Sequence, residues 1–222
     1  MIIAVIFDMY ETLVTLMDGK TYFGEEIADD LGIDRNDFLP MWRSTETDRS
    51  IGKLSLENVL TDIMKRFGCF SSEKLNRVIQ KRKERKAEVF EHLHAEIIPM
   101  LDELKKRSIR IGLISNCYSE EAEAIRESIL FPYFDAVCLS YDEGVQKPER
   151  EIFERCLERL NLKSEECLYV GDGGSDELEA TRGIGMETAQ AVWYLKDGTA
   201  QPVGRKNGFT QLESPMDIFE LI

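Results

Sequence analysis

Apolar residues fall into two rhythms along this chain, and the switch between them divides it. Residues 2–7 (IIAVIF) form a short run rich in β-branched side chains, the pattern of a strand covered on both faces. Residues 109–115 (IRIGLIS), 136–140 (AVCLS) and 166–171 (ECLYVG) repeat it, and 189–193 (AQAVW) make a fifth. Between them apolar positions recur at helical spacing. One helix is expected over 98–107, and another over 119–130 with Ser119 as N-cap. A third covers 149–160, with Pro148 in its first turn where a missing N–H costs nothing, and a fourth covers 175–183. Strands alternating with helices predict parallel strands joined by crossovers, a doubly wound α/β sheet.

Residues 17–90 break this rhythm. They carry no buried-strand signal, only charged amphipathic stretches at 23–31, 37–47, 56–66 and 75–90. The last includes a basic cluster, 81–86, which reads as a solvated helix face. The expected organisation is an α/β core from 1–16 plus 91–222, with a helical domain of residues 17–90 inserted over the strand ends. Residues 198–222 carry no clear pattern.

Charge narrows the partners. The 222 residues hold 28 Lys and Arg against 42 Asp and Glu, a net −14. That balance argues against nucleic acid and anionic membranes, which bind through surplus cations. The longest apolar run, 1–7, lacks a basic flank and falls far short of the roughly 20 residues of a membrane helix, so neither a leader nor a span is expected. Five cysteines without CxxC spacing predict thiols in a reducing, cytoplasmic setting rather than disulfides or zinc. His92 and His94 stand two apart in a helical context and face different ways, so they form no metal pair.

Ligands of a doubly wound sheet bind beyond the carboxyl ends of its strands. Strand 1 ends Asp8-Met9-Tyr10-Glu11-Thr12, strand 2 ends Ser115-Asn116, and strand 4 ends Gly171-Asp172, with Asp176 and Glu177 following. Lys147 lies between the latter two, before Pro148. Each residue alone has an ordinary explanation as cap, turn or surface charge. Together, carboxylates converging on one site repel unless a cation sits among them, and oxygen ligands suit Mg²⁺. A lysine and a hydroxyl beside them complement a phosphoryl group. No GxxxxGK[ST] loop is present.

The ordered set Asp8…Thr12, Ser115, Lys147 and Gly171-Asp172…Asp176/Glu177 resembles the haloacid dehalogenase-like hydrolase superfamily, and the insertion resembles its C1 cap. The resemblance implies that Asp8 is a nucleophile forming an aspartyl intermediate, that Ser115 holds the phosphoryl group and that Lys147 neutralises both. It implies Mg²⁺ held by Asp8, Asp172 and the Tyr10 carbonyl, with Asp176 or Glu177 orienting Lys147 or metal-bound water. Thr12 and Asn116 are expected beside the substrate. The superfamily's phosphatases carry a second aspartate, the general acid, where this chain has Tyr10. Tyrosine there characterises the metal-free 2-haloacid dehalogenases, which lack the Asp172 equivalent. A phenol is a tolerable proton donor at neutral pH and a poor base, and Glu11 is an alternative donor.

The expected activity is a Mg²⁺-dependent phosphohydrolase of a small phosphorylated molecule, from a monomer or homodimer. Metal-free dehalogenation and a weakened member acting in binding or regulation are the alternatives. Specificity is expected from the insertion, where Trp42, Arg43 and Arg49 lie. An arginine there either binds a second anionic group or pairs at the surface with Glu46 and Asp48.

Overall fold

In a computed structural model of the chain, which describes residues 1–17, 22–195 and 203–222, six strands make one sheet. They are β1 (Ala4–Phe7), β2 (Arg110–Ser115), β3 (Ala136–Leu139), β4 (Cys167–Gly171), β5 (Glu187–Ala191) and β6 (Thr210–Leu212). All pair in parallel, in the order β3-β2-β1-β4-β5-β6. Alternation along the strands builds a core on each face. Val5, Phe7, Ile111 and Leu113 pack with α6 (Ile97–Lys106) and α7 (Ser119–Glu127). Ala4, Ile6 and Tyr169 pack on the other side with α9 (Arg150–Leu160) and α10 (Glu177–Gly183). The expected doubly wound α/β architecture is what forms.

Several boundaries differ from expectation. β5 begins at Glu187, two residues earlier than expected, because buried Thr188 carries the strand where polar residues read as loop, and it stops at Ala191. β6 lies in the stretch that showed no pattern; at three residues on the sheet edge it is too short for periodicity to reveal. Ser119 is the first helical residue of α7 and Tyr118 occupies the cap position, its N–H donating to Glu121 at 3.0 Å. Pro148 precedes α9 by two residues, in a cis peptide bond with Lys147. A one-turn helix, α8 (Ser140–Glu143), follows β3.

The insertion is helical: α1 (Gly24–Leu31), α2 (Arg35–Ser44), α3 (Glu46–Ser50), α4 (Leu56–Arg66) and α5 (Ser72–Glu88). Its buried apolar residues, from Tyr22 to Val78, form a cluster of their own that shares no member with the two sheet cores. The first residues assigned to it from sequence, 18–21, lie outside the described residues.

Two seams join insertion to sheet. At one, α3 meets α8: Ser140 Oγ donates to Ser50 O at 2.7 Å and accepts the Cys117 N–H at 2.9 Å. Gly52 is required here, since its φ is +72° and a Cβ would lie 2.2 Å from Tyr141 O. At the other, α5 meets α7, and here the basic cluster departs from expectation. Arg82 and Lys86, four apart on one helical face, are 3% and 4% exposed. Arg82 pairs with Glu120 and Lys86 with Glu121 at 2.7 Å, both carboxylates also buried. The rest of the run is solvated as expected; these two are not, because α7 offers them two acidic partners.

No helix among the described residues is long and apolar enough to cross a membrane. His94 serves local structure: its Nδ1 accepts the Glu96 N–H at 3.2 Å, and its ring meets Tyr194 edge-on.

Candidate active site

Register brings three strand ends side by side. Phe7 is level with Leu113 on β2 and Val170 on β4, so Asp8 emerges between the ends of β2 and β4, beside Ile114 and Gly171. Asp8 is held there by its N–H, which donates to Val170 O at 2.9 Å. Lys147 reaches this point through a backbone clamp: its N–H donates to Asn116 Oδ1 at 2.8 Å, and Asn116 Nδ2 donates back to Lys147 O at 3.0 Å. Asn116, expected beside the substrate, thus has both ends of its carboxamide engaged in placing the lysine. The ammonium donates to Asp8 Oδ1 at 2.6 Å, to the Glu177 carboxylate, and to Tyr169 Oη at 3.4 Å.

Asp176 and Glu177 divide sharply. Asp176 precedes α10 with left-handed backbone, φ +50°, and Glu177 is the first helical residue; only the second turns inward. Glu177 is 0% exposed and accepts from Lys147, from Tyr169 Oη at 2.7 Å and from Gly173 N at 3.2 Å. Asp176 has an 82% exposed side chain, 3.7 Å from Lys206. Gly171 explains its own identity: a Cβ there would stand 2.0 Å from Glu177 Oε1.

One carboxylate oxygen from each of Asp8, Asp172 and Glu177 lies within 4.8 Å of the others. Lys147 is the cation paired with this group, so three acids face one ammonium. Burial raises the Asp8 carboxyl well above its ordinary range, with Glu177 and Asp172 adding to this and Lys147 opposing it. Burial, then Glu177, pushes Asp172 up to about 6, although Gly174 N–H donates to its Oδ1 at 2.8 Å. Lys147 is raised by Asp8 and Glu177 against the effect of its burial. The cluster is short of positive charge, and the donor set is all oxygen. Both features fit Mg²⁺.

Gln190 and Tyr169 belong to this site although sequence reading did not single them out. Gln190 Nε2 donates to Asp172 O at 2.8 Å and so holds the turn that carries the carboxylate. Its signal was available: an amide within a buried-strand pattern needs polar partners.

Ser115 is fully buried, its hydroxyl 3.5 Å from Asn116 O. Thr12 is equally buried; its carbonyl accepts from Trp193 Nε1 at 2.8 Å, while its hydroxyl has no partner among the described residues. Glu11 turns back on its own loop at φ +58°, accepting from Thr15 Oγ1 at 2.7 Å and Leu16 N at 2.8 Å. Tyr10 points toward the α5–α7 seam, its ring 5.9 Å from Lys86 Nζ. Its hydroxyl is buried with no partner among the described residues, and burial, then Glu121, keeps it protonated well above the ordinary phenol range.

A cleft of about 610 Å³ opens over Lys147, walled by Tyr10, Lys147 and Ser175 from the sheet side and by Arg43, Glu46 and Thr47 from the insertion. Arg43 is two-thirds exposed and 3.6 Å from Glu25. Arg49 meets neither Glu46 nor Asp48. It is buried between Trp42 and Tyr118, while Asp48 lies 3.7 Å from Lys53 and Glu46 accepts the Tyr118 hydroxyl at 3.1 Å.

Comparison with known proteins bears on the family and the fold. A family model described as haloacid dehalogenase-like hydrolase matches residues 2–185. A glyceraldehyde 3-phosphate phosphatase of Methanocaldococcus jannaschii is 33% identical over 96 residues, covering 43% of this chain and 42% of that protein. The matched stretches span less than half the length of the first such relatives. Among solved structures, a HAD phosphatase from Thermococcus onnurineus aligns with a TM-score of 0.66 at 19% identity, over 98% of this chain and 96% of that one. A HAD family enzyme from Bacteroides thetaiotaomicron, in complex with magnesium and inorganic phosphate, aligns with a TM-score of 0.63 at 15% identity, over 91% of this chain and 98% of that one. At those identities the structural likeness speaks for the fold.

Proposed function

The chain belongs to the haloacid dehalogenase-like hydrolases, and we propose that within them it is a Mg²⁺-dependent phosphohydrolase of small phosphorylated molecules, with the helical insertion as its cap. The observation that carries this reading is the charge deficit of the buried cluster, three carboxylates against Lys147. The phosphatase relative and the magnesium- and phosphate-bound neighbour support it.

Asp8, Asp172 and the Tyr10 carbonyl would hold the ion, which supplies charge neutralisation for the phosphoryl oxygens. Asp8 carboxylate attacks phosphorus and the ester P–O bond breaks, leaving an aspartyl phosphate. Lys147 favours the ionised form of Asp8 against its burial, and Ser115 binds the transferring group. Tyr10 gives the departing oxygen its proton and takes one back from the water that then hydrolyses the acyl phosphate, restoring the Asp8 carboxylate. A phenol held protonated by burial gives that proton reluctantly. Substrates with good leaving groups, aryl and acyl phosphates, are therefore the better ones.

Tyr10 also favours a second reading, metal-free dehalogenation. Against it, a haloacid carboxylate entering without a metal would meet the excess negative charge of Asp172 and Glu177. The test is a phosphate-ester panel and L-2-chloropropionate, each with Mg²⁺ and with EDTA. Phosphate release that requires Mg²⁺ is expected. Chloride release in EDTA would replace our reading with dehalogenation, and inactivity on both would assign the chain a binding or regulatory role.

A further inference from the structure

Four lysine or arginine side chains are buried among the described residues: Arg49, Arg82, Lys86 and Lys147. Three of them have carboxylate partners within 4 Å. Arg49 has none among the described residues. At 3% exposure, its Nε donates to Thr45 Oγ1 at 3.1 Å and its Nη2 to Trp42 O at 3.4 Å, both neutral acceptors. Its Nη1 has no partner among the described residues. The guanidinium lies flat between two rings, 3.8 Å from the centroid of Trp42 and 4.3 Å from that of Tyr118. Such stacking holds the planar fork in one orientation and leaves its edge for an anion. A buried charge without a counter-ion is costly, and proteins retain one where a ligand completes it.

Position says which ligand. Arg49, Trp42 and Lys86 line a cavity of about 340 Å³ between insertion and sheet. This cavity shares Leu16, Arg43, Glu46, Tyr118 and Glu121 with the cleft over Lys147. A molecule whose phosphoryl group sits at Lys147 thus has a continuous path past Tyr118 toward Arg49. Lys86 is already neutralised by Glu121 and Arg82 by Glu120, so they add no free charge there.

We propose that Arg49, clamped between Trp42 and Tyr118, is the specificity-determining residue that receives a second anionic group of the substrate, a carboxylate or a second phosphoryl group. The inference rests on the phosphohydrolase reading and deepens it. The substrate is then a phosphorylated acid or a bisphosphate rather than a neutral phosphomonoester.

Matched esters test this: an O-phosphorylated hydroxy acid against its amide, and an alkyl bisphosphate against the corresponding monophosphate, with an aryl phosphate as reference. The wild type should favour the doubly anionic member of at least one pair by roughly 10–100-fold in kcat/KM, the range of a charged hydrogen bond. Which pair shows the preference identifies carboxylate or phosphoryl as the group read. Arg49→Gln should erase it through KM while leaving amide, monophosphate and aryl rates within about threefold. Arg49→Lys keeps the charge without the planar fork and should restore only part of the preference, which serves if the glutamine variant fails to fold. A wild type indifferent within both pairs overturns the proposal while leaving the phosphohydrolase intact. Equal losses on all esters would reduce Arg49 to a structural role. No hydrolysis of any ester, the aryl phosphate included, overturns the parent reading and this one together.

Discussion

Two clusters of buried charge lie on either side of Tyr10, and they are built on opposite principles. At the strand ends, Asp8, Asp172 and Glu177 crowd around Lys147. At the α5–α7 seam, Arg82 and Lys86 meet Glu120 and Glu121 one for one. Burial raises Asp8 and Asp172 in the first cluster, whereas in the second Arg82 holds the buried Glu120 below its ordinary value. A balanced cluster is complete as folded. An unbalanced one leaves charge for something else to neutralise, and charge imbalance, more than burial, separates the two clusters.

The sharpest way to break that distinction is Asp8→Asn. The amide is nearly isosteric with the carboxylate but is not a nucleophile, so phosphate release should fall by at least about 10³-fold, as losing a covalent nucleophile typically costs several orders of magnitude. Circular dichroism should be unchanged. Activity above about 1% of wild type would remove Asp8 from that role.

The seam should respond in stability instead. Arg82→Met leaves Glu120 buried without its partner, which should cost about 3–5 kcal/mol, read from the urea midpoint. Arg82→Met with Glu120→Leu should recover most of that loss, because an apolar pair of similar volume leaves no charge stranded. A single variant as stable as wild type would mean that the pair is not buried in solution.

These clusters differ as much in how far they can be read from sequence. Asp8, Ser115 and Asp172 announce themselves because each ends a run of buried-strand residues, and strand ends are where this architecture places its ligands. Lys147 was found by its place in the order of motifs. The seam stayed hidden. Arg82 and Lys86 sit in a run of charges, and their burial depends on Glu120, 38 residues further along the chain from Arg82. A periodicity window cannot reach that far. The choice between Asp176 and Glu177 was unreadable for a related reason: it turns on the start of α10 to a single residue, where Asp176 adopts φ +50° and Glu177 begins the helix. Gln190 and β6 were obscured because polar and edge residues weaken the apolar pattern on which such reading relies.

A smaller effect of opposite sign should come from Asp172. Its carboxyl is raised to about 6 in the folded, metal-free protein, against an ordinary value of 3.8. The folded state therefore binds the proton more tightly than the unfolded one, so metal-free stability should fall as pH rises through about 4 to 6 and level off above. Asp172→Asn removes that loss and should raise the thermal midpoint in EDTA at pH 7.5 by several degrees, equivalent to at most about 3 kcal/mol. The same variant should no longer be stabilised by Mg²⁺, which protects wild type by binding its native state alone. A midpoint lowered in EDTA, or a Mg²⁺ response equal to wild type, would mean that this carboxylate is not part of an unbalanced cluster awaiting a cation.

Tyr10, between the two clusters, yields the finest test. Its hydroxyl is buried without a partner among the described residues, against Lys86 on the balanced side, while its ring walls the cleft over Lys147. If it belongs functionally to the strand-end cluster, Tyr10→Phe should slow alkyl phosphates by about 10-fold and leave aryl phosphates nearly untouched, because only the poor leaving group needs its proton. Stability should stay level or rise slightly, since the substitution deletes an unsatisfied buried hydroxyl. Tyr10→Asp should act in the reverse sense, gaining most on alkyl esters by offering a more acidic donor. Its backbone carbonyl is still there for Mg²⁺, so the metal requirement should persist. Equal slowing of both ester classes by Tyr10→Phe would instead place the phenol with the seam, as a packing group. The proton would then have to come from elsewhere on the loop. Glu11→Gln, which weakens an acceptor of Thr15 and Leu16, would be the variant to slow alkyl esters selectively.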